Sequence, residues 1–255
     1  MGWRRNEIFQ TECGIGLKAG RSFIVSFRRW LISRLWNKEF GLTEREWRHV
    51  RFSFSQFGED LVVEQLLPAR GFYIDIGAYH PVHLSNTYGL YRLKGWQGLL
   101  AEPSPKFARL LRQKRPRDKV VEVALGPREG KVPFLESDKQ GMGQGAGNGV
   151  VDSGVNPLFP QTDRSGKILE VRMTTLRTFL DENLPAGQSV DFLSLDAEGM
   201  DLEILQTNDW VRCQPRVICV EALTPGDEAG IRSYLEPKGY RFLGRIVYSL
   251  VFQKE

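Results

Sequence analysis

The sequence predicts an α/β domain in which a mostly parallel sheet is covered by helices on both faces. Three observations predict it. Short apolar runs of strand length recur along the chain, near 72–76, 97–102, 119–125, 190–195 and 216–220. Segments with helical spacing of apolar residues lie between them, and such alternation means crossover connections and a parallel sheet. The runs also end on acids, Asp75, Glu102, Asp196 and Glu221, on the strand ends where open α/β sheets bind their ligands.

The elements follow in order. A lead-in helix is expected over 55–67, capped at Ser53 or Ser55, with Glu59 and Asp60 in its first turns. The run beginning at Phe72 is apolar except for Asp75, as suits a strand buried on both faces. Ser85, Asn86 and Thr87 open a helix over 84–94, followed by a strand over 97–102, a helix over 105–114 and a strand over 119–125. Short strands at 131–135 and 170–173 flank an insertion, 136–167, in which Gly141, Gly143, Gly145, Gly147 and Gly149 alternate with other residues. That alternation disfavours regular structure, and long irregular segments in compact domains are commonly lids or binding loops. No G-K-[ST] follows it, so it is not a phosphate-cradling loop. A helix over 174–183, a strand over 190–195, a helix over 199–207, a strand over 216–221, a helix over 227–238 and a hairpin of 240–243 with 246–252 complete the pattern.

At 255 residues the chain suits one domain with a real core plus an extension, divided near residue 50. Gly at 26 and Pro at 13 indicate neither a fibrous nor a disordered class. Cys13, Cys213 and Cys219 are scattered, without metal-ligand spacing, and read as reduced thiols of a cytoplasmic protein. No apolar run is long enough to span a bilayer and no signal peptide is evident. Residues 1–51 hold 11 Lys and Arg against 5 acids, and the remainder is nearly neutral, which argues against nucleic acid as a partner. Within that basic segment Phe23, Ile24, Phe27, Trp30, Leu31 and Leu35 recur at helical spacing beside Arg21, Arg28 and Arg29. The stripe over 21–36 has two readings: an interfacial helix on an anionic membrane, or a helix docked on the domain.

The chemistry concentrates at the strand ends. After Asp75, Gly77 leaves room for a turn or for close approach of a ligand. The G-x-G-x-x-G of a diphosphate cofactor is absent, and an acid there suits a cationic ligand such as the amino group of a methionine-derived cofactor. Glu102, 27 residues on, is placed to bind a ribose diol. Several carboxylates on one rim repel one another unless a cation compensates, and a sulfonium would do so.

The motifs Ser55-Gln56-Phe57-Gly58-Glu59-Asp60, Asp75-Ile76-Gly77-Ala78-Tyr79-His80-Pro81, Ser85-Asn86-Thr87-Tyr88, Gly95-Trp96-Gln97-Gly98, Glu102-Pro103 and Asp196-Ala197-Glu198-Gly199-Met200-Asp201-Leu202-Glu203 occur in this order. Together they resemble the FkbM family of S-adenosylmethionine-dependent methyltransferases, over roughly residues 53 to 252. The resemblance implies a Rossmann-like class I methyltransferase fold of seven strands ending in an antiparallel hairpin, and O-methylation of a hydroxyl on a sugar, glycan or related small molecule. It implies that Asp75, Gly77 and Asn86 meet the methionine end of S-adenosyl-L-methionine, Glu102 the ribose, and Val123 with Ala124 the adenine, with Ala78, Pro103 and Asp196 also in the cofactor site. Asp196 and Glu198 would face the transferred methyl. Many members carry Val or Ile where this chain has Ala197, and His or Glu near Met200 and Asp201, so no base role passes to Met200.

Transfer to a hydroxyl releases one proton, and a general base within about 3 Å contributes on the order of 10²- to 10⁴-fold. Asp196, Glu198 and His80 are the candidates, with Glu221 and His83 behind them. Asp196, Glu198 and Glu221 would also suit Mg²⁺ or Ca²⁺, but no metal is assigned. Two rivals stand beside this reading: a nucleotide-sugar oxidoreductase, disfavoured by the missing glycine fingerprint, and a non-catalytic descendant that binds cofactor or a partner.

Overall fold

The structure, a computed structural model, describes residues 41, 44–47, 49–137, 149–151 and 166–255. The chain divides after Arg51 into two units. In the first, a single helical turn, Glu44–Trp47, is described; the amphipathic stripe at 21–36 lies outside the described residues. Among the described residues no helix is long and apolar enough to cross a membrane.

In the second unit, β1 (Phe72–Ile76), β2 (Gln97–Ala101) and β3 (Lys119–Val121) are followed by β4 (Ala124–Leu125), β5 (Gly130–Ser137), β6 (Gly149–Val150) and β7 (Gly166–Thr174). The series ends with β8 (Phe192–Leu195), β9 (Val217–Glu221), β10 (Tyr240–Ile246) and β11 (Ser249–Lys254). The α-helices are α1 (Glu59–Leu66), α2 (Pro105–Lys114), α3 (Leu176–Asn183), α4 (Asp201–Gln206) and α5 (Pro225–Leu235), and the expected helix over 84–94 is realised as a short π-helix, Leu90–Lys94. The main sheet runs β10-β11-β9-β8-β1-β2-β3. Its pairings are parallel from β3 to β9, and β11 is antiparallel to both β9 and β10. This is the seven-stranded, mostly parallel Rossmann-like sheet that the sequence led us to expect.

Every residue of β1 and β8 is buried, as in a parallel sheet covered on both faces, and the two polar exceptions, Asp75 and Ser194, are hydrogen-bonded. One core face joins Ile74, Leu99, Leu193 and Ile218 to Phe179 and Ile204; the other joins Tyr73, Leu100, Phe192 and Cys219 to Val63 and Leu111. Local signals set the helix starts. Ser104 caps α2 by accepting from Phe107 N at 3.3 Å, with Pro105 first in the helix. Thr224 and Asp227 form a reciprocal capping box, which starts α5 two residues before the expected 227.

Other differences are instructive. The lead-in helix begins at Glu59, not 55, because Gly58 turns at φ 89 and the hydroxyls of Ser53 and Ser55 donate to Asp60 Oδ1, at 2.6 and 2.8 Å, in place of extending the helix. The expected strand over 119–125 breaks at Glu122 and Val123, and its second half pairs with β7 in a separate four-stranded sheet, β4-β7-β5-β6. The short strands expected at 131–135 and 170–173 are longer, with β5 and β7 paired from Gly130 opposite Met173 to Ser137 opposite Gly166. The insertion therefore springs from the end of a ladder. Its residues 138–148 and 152–165, including Gly141 to Gly147, lie outside the described residues.

Candidate functional site

A cavity of about 470 Å³ opens at the carboxyl ends of β1, β2, β8 and β9. Connections from β1 lead toward β2, whereas β8 and β9 lie on the other side of β1, so the cavity sits at the switch point of the sheet, where ligands of such folds bind.

The loop after β1 forms the floor. Gly77 and Ala78 each donate their N–H to Ala101 O, at 3.0 and 3.2 Å, which locks the ends of β1 and β2 together. Gly77 sits at φ 76, and a Cβ there would overlap the carbonyl oxygen of Asp196 and lie 3.0 Å from its carbon. The glycine is thus dictated by the close approach of the β8 end, whose Asp196 N donates to Ile76 O at 3.1 Å. Glu102 follows β2 and is buried. Its oxygens accept from Tyr79 N at 2.7 Å and Ser104 N at 2.8 Å. Burial pushes its carboxyl up to about 7, although those two bonds favour the charged form.

Of the sequence candidates, Gly77, Asn86, Glu102, Pro103, Val123, Ala124, Asp196 and Glu198 line this cavity. Asn86 is held by its Nδ2, which donates to Ser194 Oγ at 3.1 Å. Val123 and Ala124, with Leu125 of β4 and Phe134 of β5, build an apolar wall. Ala78 is buried in the core on the other face.

Asp75 and His80 are engaged elsewhere. The Asp75 side chain shares a face of the sheet with Tyr73, where it accepts from Thr87 Oγ1 and lies 3.9 Å from Arg115 Nη1. Burial raises its carboxyl, and Arg115 and Thr87 oppose that rise. Arg115, fully buried, donates to Asp118 at 2.7 Å, to Tyr73 OH at 2.8 Å and to Thr87 Oγ1 at 2.9 Å. The acid after β1 thus anchors the 85–87 segment that carries Asn86. His80 Nδ1 accepts from Val82 N at 3.1 Å and His83 N at 3.0 Å. Burial, then the neighbouring His83, lowers its pKa below the usual imidazole value. With Nδ1 an acceptor, the neutral ring carries its proton on Nε2 and closes a turn; it does not line the cavity.

The opposite wall is acidic. Glu59, Asp196, Glu198 and Glu221 all line the cavity, together with Tyr248 and Ser249 from the turn into β11 and its first residue. Asp196 is surrounded by protein yet accessible through the cavity, and burial pushes its carboxyl up to about 6 against a hydrogen bond to Glu221. Glu221 is pushed up to about 12, first by burial, then by the charges of Asp196, Asp201 and Glu198. Glu221 therefore holds the proton of the pair at neutral pH, while its Oε2 is buried without a hydrogen-bond partner. Asp201, first in α4, accepts from Ala197 N at 3.0 Å and Gly199 N at 3.2 Å and fixes the loop between. Among the described residues no group of three or more acids, cysteines or histidines is placed to hold a metal ion.

Backbone strain gathers here as well. The non-glycine residues with positive φ among those described are Tyr79, Leu84, Glu198 and Val247. The first three line the cavity, and Val247 immediately precedes Tyr248, which does. Such conformations cost on the order of 1–3 kcal/mol each, persist only where the surrounding structure over-determines them, and cluster at ligand sites. Sequence reading passed over Glu59 and Tyr248; Glu59 stood within the Ser55 to Asp60 motif, whereas nothing in the hairpin pattern marked Tyr248.

The α/β domain thus has an acid-rimmed cavity at its switch point, a carboxylate after the second strand and no lysine or arginine among the described lining residues. Residues 75–242 match the family described as Methyltransferase FkbM domain, and the chain belongs to that family. A search of the curated proteins found no match. Among solved structures the chain is similar to the methyltransferase FkbM from Methylobacillus flagellatus KT, at 12% identity and TM-score 0.46, covering 72% of this chain and 44% of that one. It is also similar to the precorrin-6y C5,15-methyltransferase from Geobacter metallireducens GS-15, at 14% identity and TM-score 0.44, covering 77% and 87%. A third is the TehB-like SAM-dependent methyltransferase from Corynebacterium glutamicum, at 12% identity and TM-score 0.39, covering 83% and 95%. The chain spans less than half the length of the M. flagellatus protein.

S-adenosyl-L-methionine is the cofactor expected of this family, and the residues present fit it. Carboxylates face the cavity for its cationic end, Glu102 keeps acceptor capacity for a diol, and the Val123 to Leu125 wall suits a flat base. The orphaned Oε2 of Glu221 offers one more hydrogen bond, and the volume lies within the usual range for small-ligand sites. A pH dependence follows from Glu102. Its carboxyl gains a proton as pH falls through about 7, which removes acceptor capacity. The affinity for S-adenosylhomocysteine should fall between pH 8 and 6.5, by at most tenfold per unit, and Glu102→Gln should weaken binding and flatten that profile. Calorimetry across this range checks it; an equally steep profile in the variant would assign the dependence elsewhere.

Proposed function

We propose that this chain is an S-adenosylmethionine-dependent O-methyltransferase acting on a hydroxyl of a sugar, glycan or related small molecule. The observation that carries it is the Asp196–Glu221 pair on the cavity wall. Glu221 retains the proton, so Asp196, with a pKa of about 6, is a carboxylate at neutral pH and basic enough to accept a proton.

When bound, the cofactor supplies an electrophilic methyl carbon. Glu102 holds the diol and Asn86 orients the methionine end. Asp196 accepts the hydroxyl proton of the acceptor, and Glu198, held at φ 55, orients that hydroxyl. His80 positions the turn after β1 and takes no proton from substrate. With four acids and no cation among the described residues of that wall, the acceptor is neutral or cationic, because a phosphorylated or carboxylated one would meet like charge.

Asp196→Asn should retain S-adenosylhomocysteine binding within a few-fold and lose about 10²- to 10⁴-fold in turnover. Methyl transfer from labelled cofactor to a panel of neutral and amino sugars measures it. Full turnover in the variant would reject Asp196 as base, and no binding of the product to folded wild type would reject the reading altogether.

A further inference from the structure

The near-neutral charge of the domain conceals a strongly one-sided surface. Residues 105–119 hold seven Lys and Arg against a single acid, Asp118. Asp118 is turned inward onto buried Arg115, so the remaining six cations, Lys106, Arg109, Arg112, Lys114, Arg117 and Lys119, are all exposed. Arg112 meets Glu122 at 3.4 Å, but no carboxylate pairs with Lys106, Arg109 or Lys114 among the described residues.

This ridge has direction. It starts at the cavity rim, where Phe107, next to Lys106, packs on Tyr79 with ring centroids 4.3 Å apart, and Tyr79 lines the cavity. It ends near the short π-helix Leu90–Lys94, since Arg117 Nη2 donates to Tyr91 O at 2.5 Å. There Arg92 is exposed and Leu93 is 63% exposed.

We propose that this ridge docks the domain on an anionic lipid surface, with the cavity mouth beside the headgroups. Clustered Lys and Arg contribute about 1 kcal/mol each at such a surface, and an exposed leucine among arginines suits the boundary between headgroups and acyl chains. Single-stranded nucleic acid is the poorer match, because it calls for aromatic platforms. The aromatic residues of the ridge, Phe107 and Tyr91, are buried at 8% and 5% exposure. The ridge belongs to the described domain and does not depend on the basic stripe at 21–36.

The test is sedimentation of the full chain with vesicles of phosphatidylcholine, with and without about 30% phosphatidylserine. Wild type should bind the anionic vesicles at 0.15 M salt and release them at 1 M, where screening shortens to about 3 Å. The triple variant Lys106→Glu, Arg109→Glu, Lys114→Glu should bind about a hundredfold more weakly, with unchanged melting temperature and product binding. A control with equal charge change, Arg70→Glu, Arg128→Glu, Arg241→Glu, should lose far less. Equal losses in the two variants, wild-type binding by the ridge variant, or wild type that binds a single-stranded RNA homopolymer but no anionic vesicle would each overturn the proposal.

Discussion

Gly77→Ala is expected to destabilise the domain by about 2–5 kcal/mol and to abolish binding of S-adenosylhomocysteine. Two costs combine. Left-handed backbone costs a residue with a Cβ roughly 1–2 kcal/mol, and overpacking against a fixed neighbour typically adds about 1–3 kcal/mol. The neighbour is backbone, the Asp196 carbonyl, so no side chain can swing aside. Relief requires β1 and β8 to separate at their carboxyl ends, and that would break up the cavity floor formed by the loop after β1. Urea unfolding and calorimetry on the same preparation measure both effects. A loss below about 1 kcal/mol with normal product binding would mean that the contact yields more easily than its geometry implies.

The second large effect is expected at Arg115. Its guanidinium is fully buried and bridges Asp118, Tyr73 and Thr87, with Asp75 at 3.9 Å. Breaking a buried pair by removing one partner costs about 3–5 kcal/mol, because the remaining charge is left without compensation. Arg115→Met keeps volume and removes charge, so the loss should fall in that range. Arg115→Lys should recover only part of it, since an ammonium cannot reproduce the planar fork. Denaturant midpoints for both variants decide the matter, and a loss under 1 kcal/mol in the methionine variant would contradict a structural role. Variants that still fold should bind product more weakly, because Thr87 and Asp75 fix the segment bearing Asn86.

Much of this was legible in the sequence, for identifiable reasons. A strand buried on both faces is apolar along most of its length, so 72–76 and 190–195 stood out despite Asp75, Asp191 and Ser194. Helix α2 matches the expected 105–114, and Ser104 with Pro105 supplies a start signal that needs no tertiary context. The acids at strand ends were visible too, but not which way each one faces. Alternation along β1 sets Asp75 beside Tyr73, and its cation, Arg115, is 40 residues away in sequence, just past a helix end. The same ambiguity hid the break at Glu122 and Val123, since a β-rich run does not reveal that its two halves join different sheets. Charge summed over the whole domain masked the basic ridge, because the compensating acids lie elsewhere on the fold.

The position of β11 bears on how the molecule is made. Residues 249–254 are the last strand in chain order, yet they lie between β9 and β10. During synthesis β9 must present an open edge until this segment leaves the ribosome, and β10 has no partner to pair with before then. Closure of the sheet is consequently a late, long-range event, of the kind that folds slowly and exposes a chain to aggregation meanwhile. Tyr248 and Ser249 arrive with that strand and complete the cavity wall, so a nascent chain gains its ligand site only when its sheet is finished.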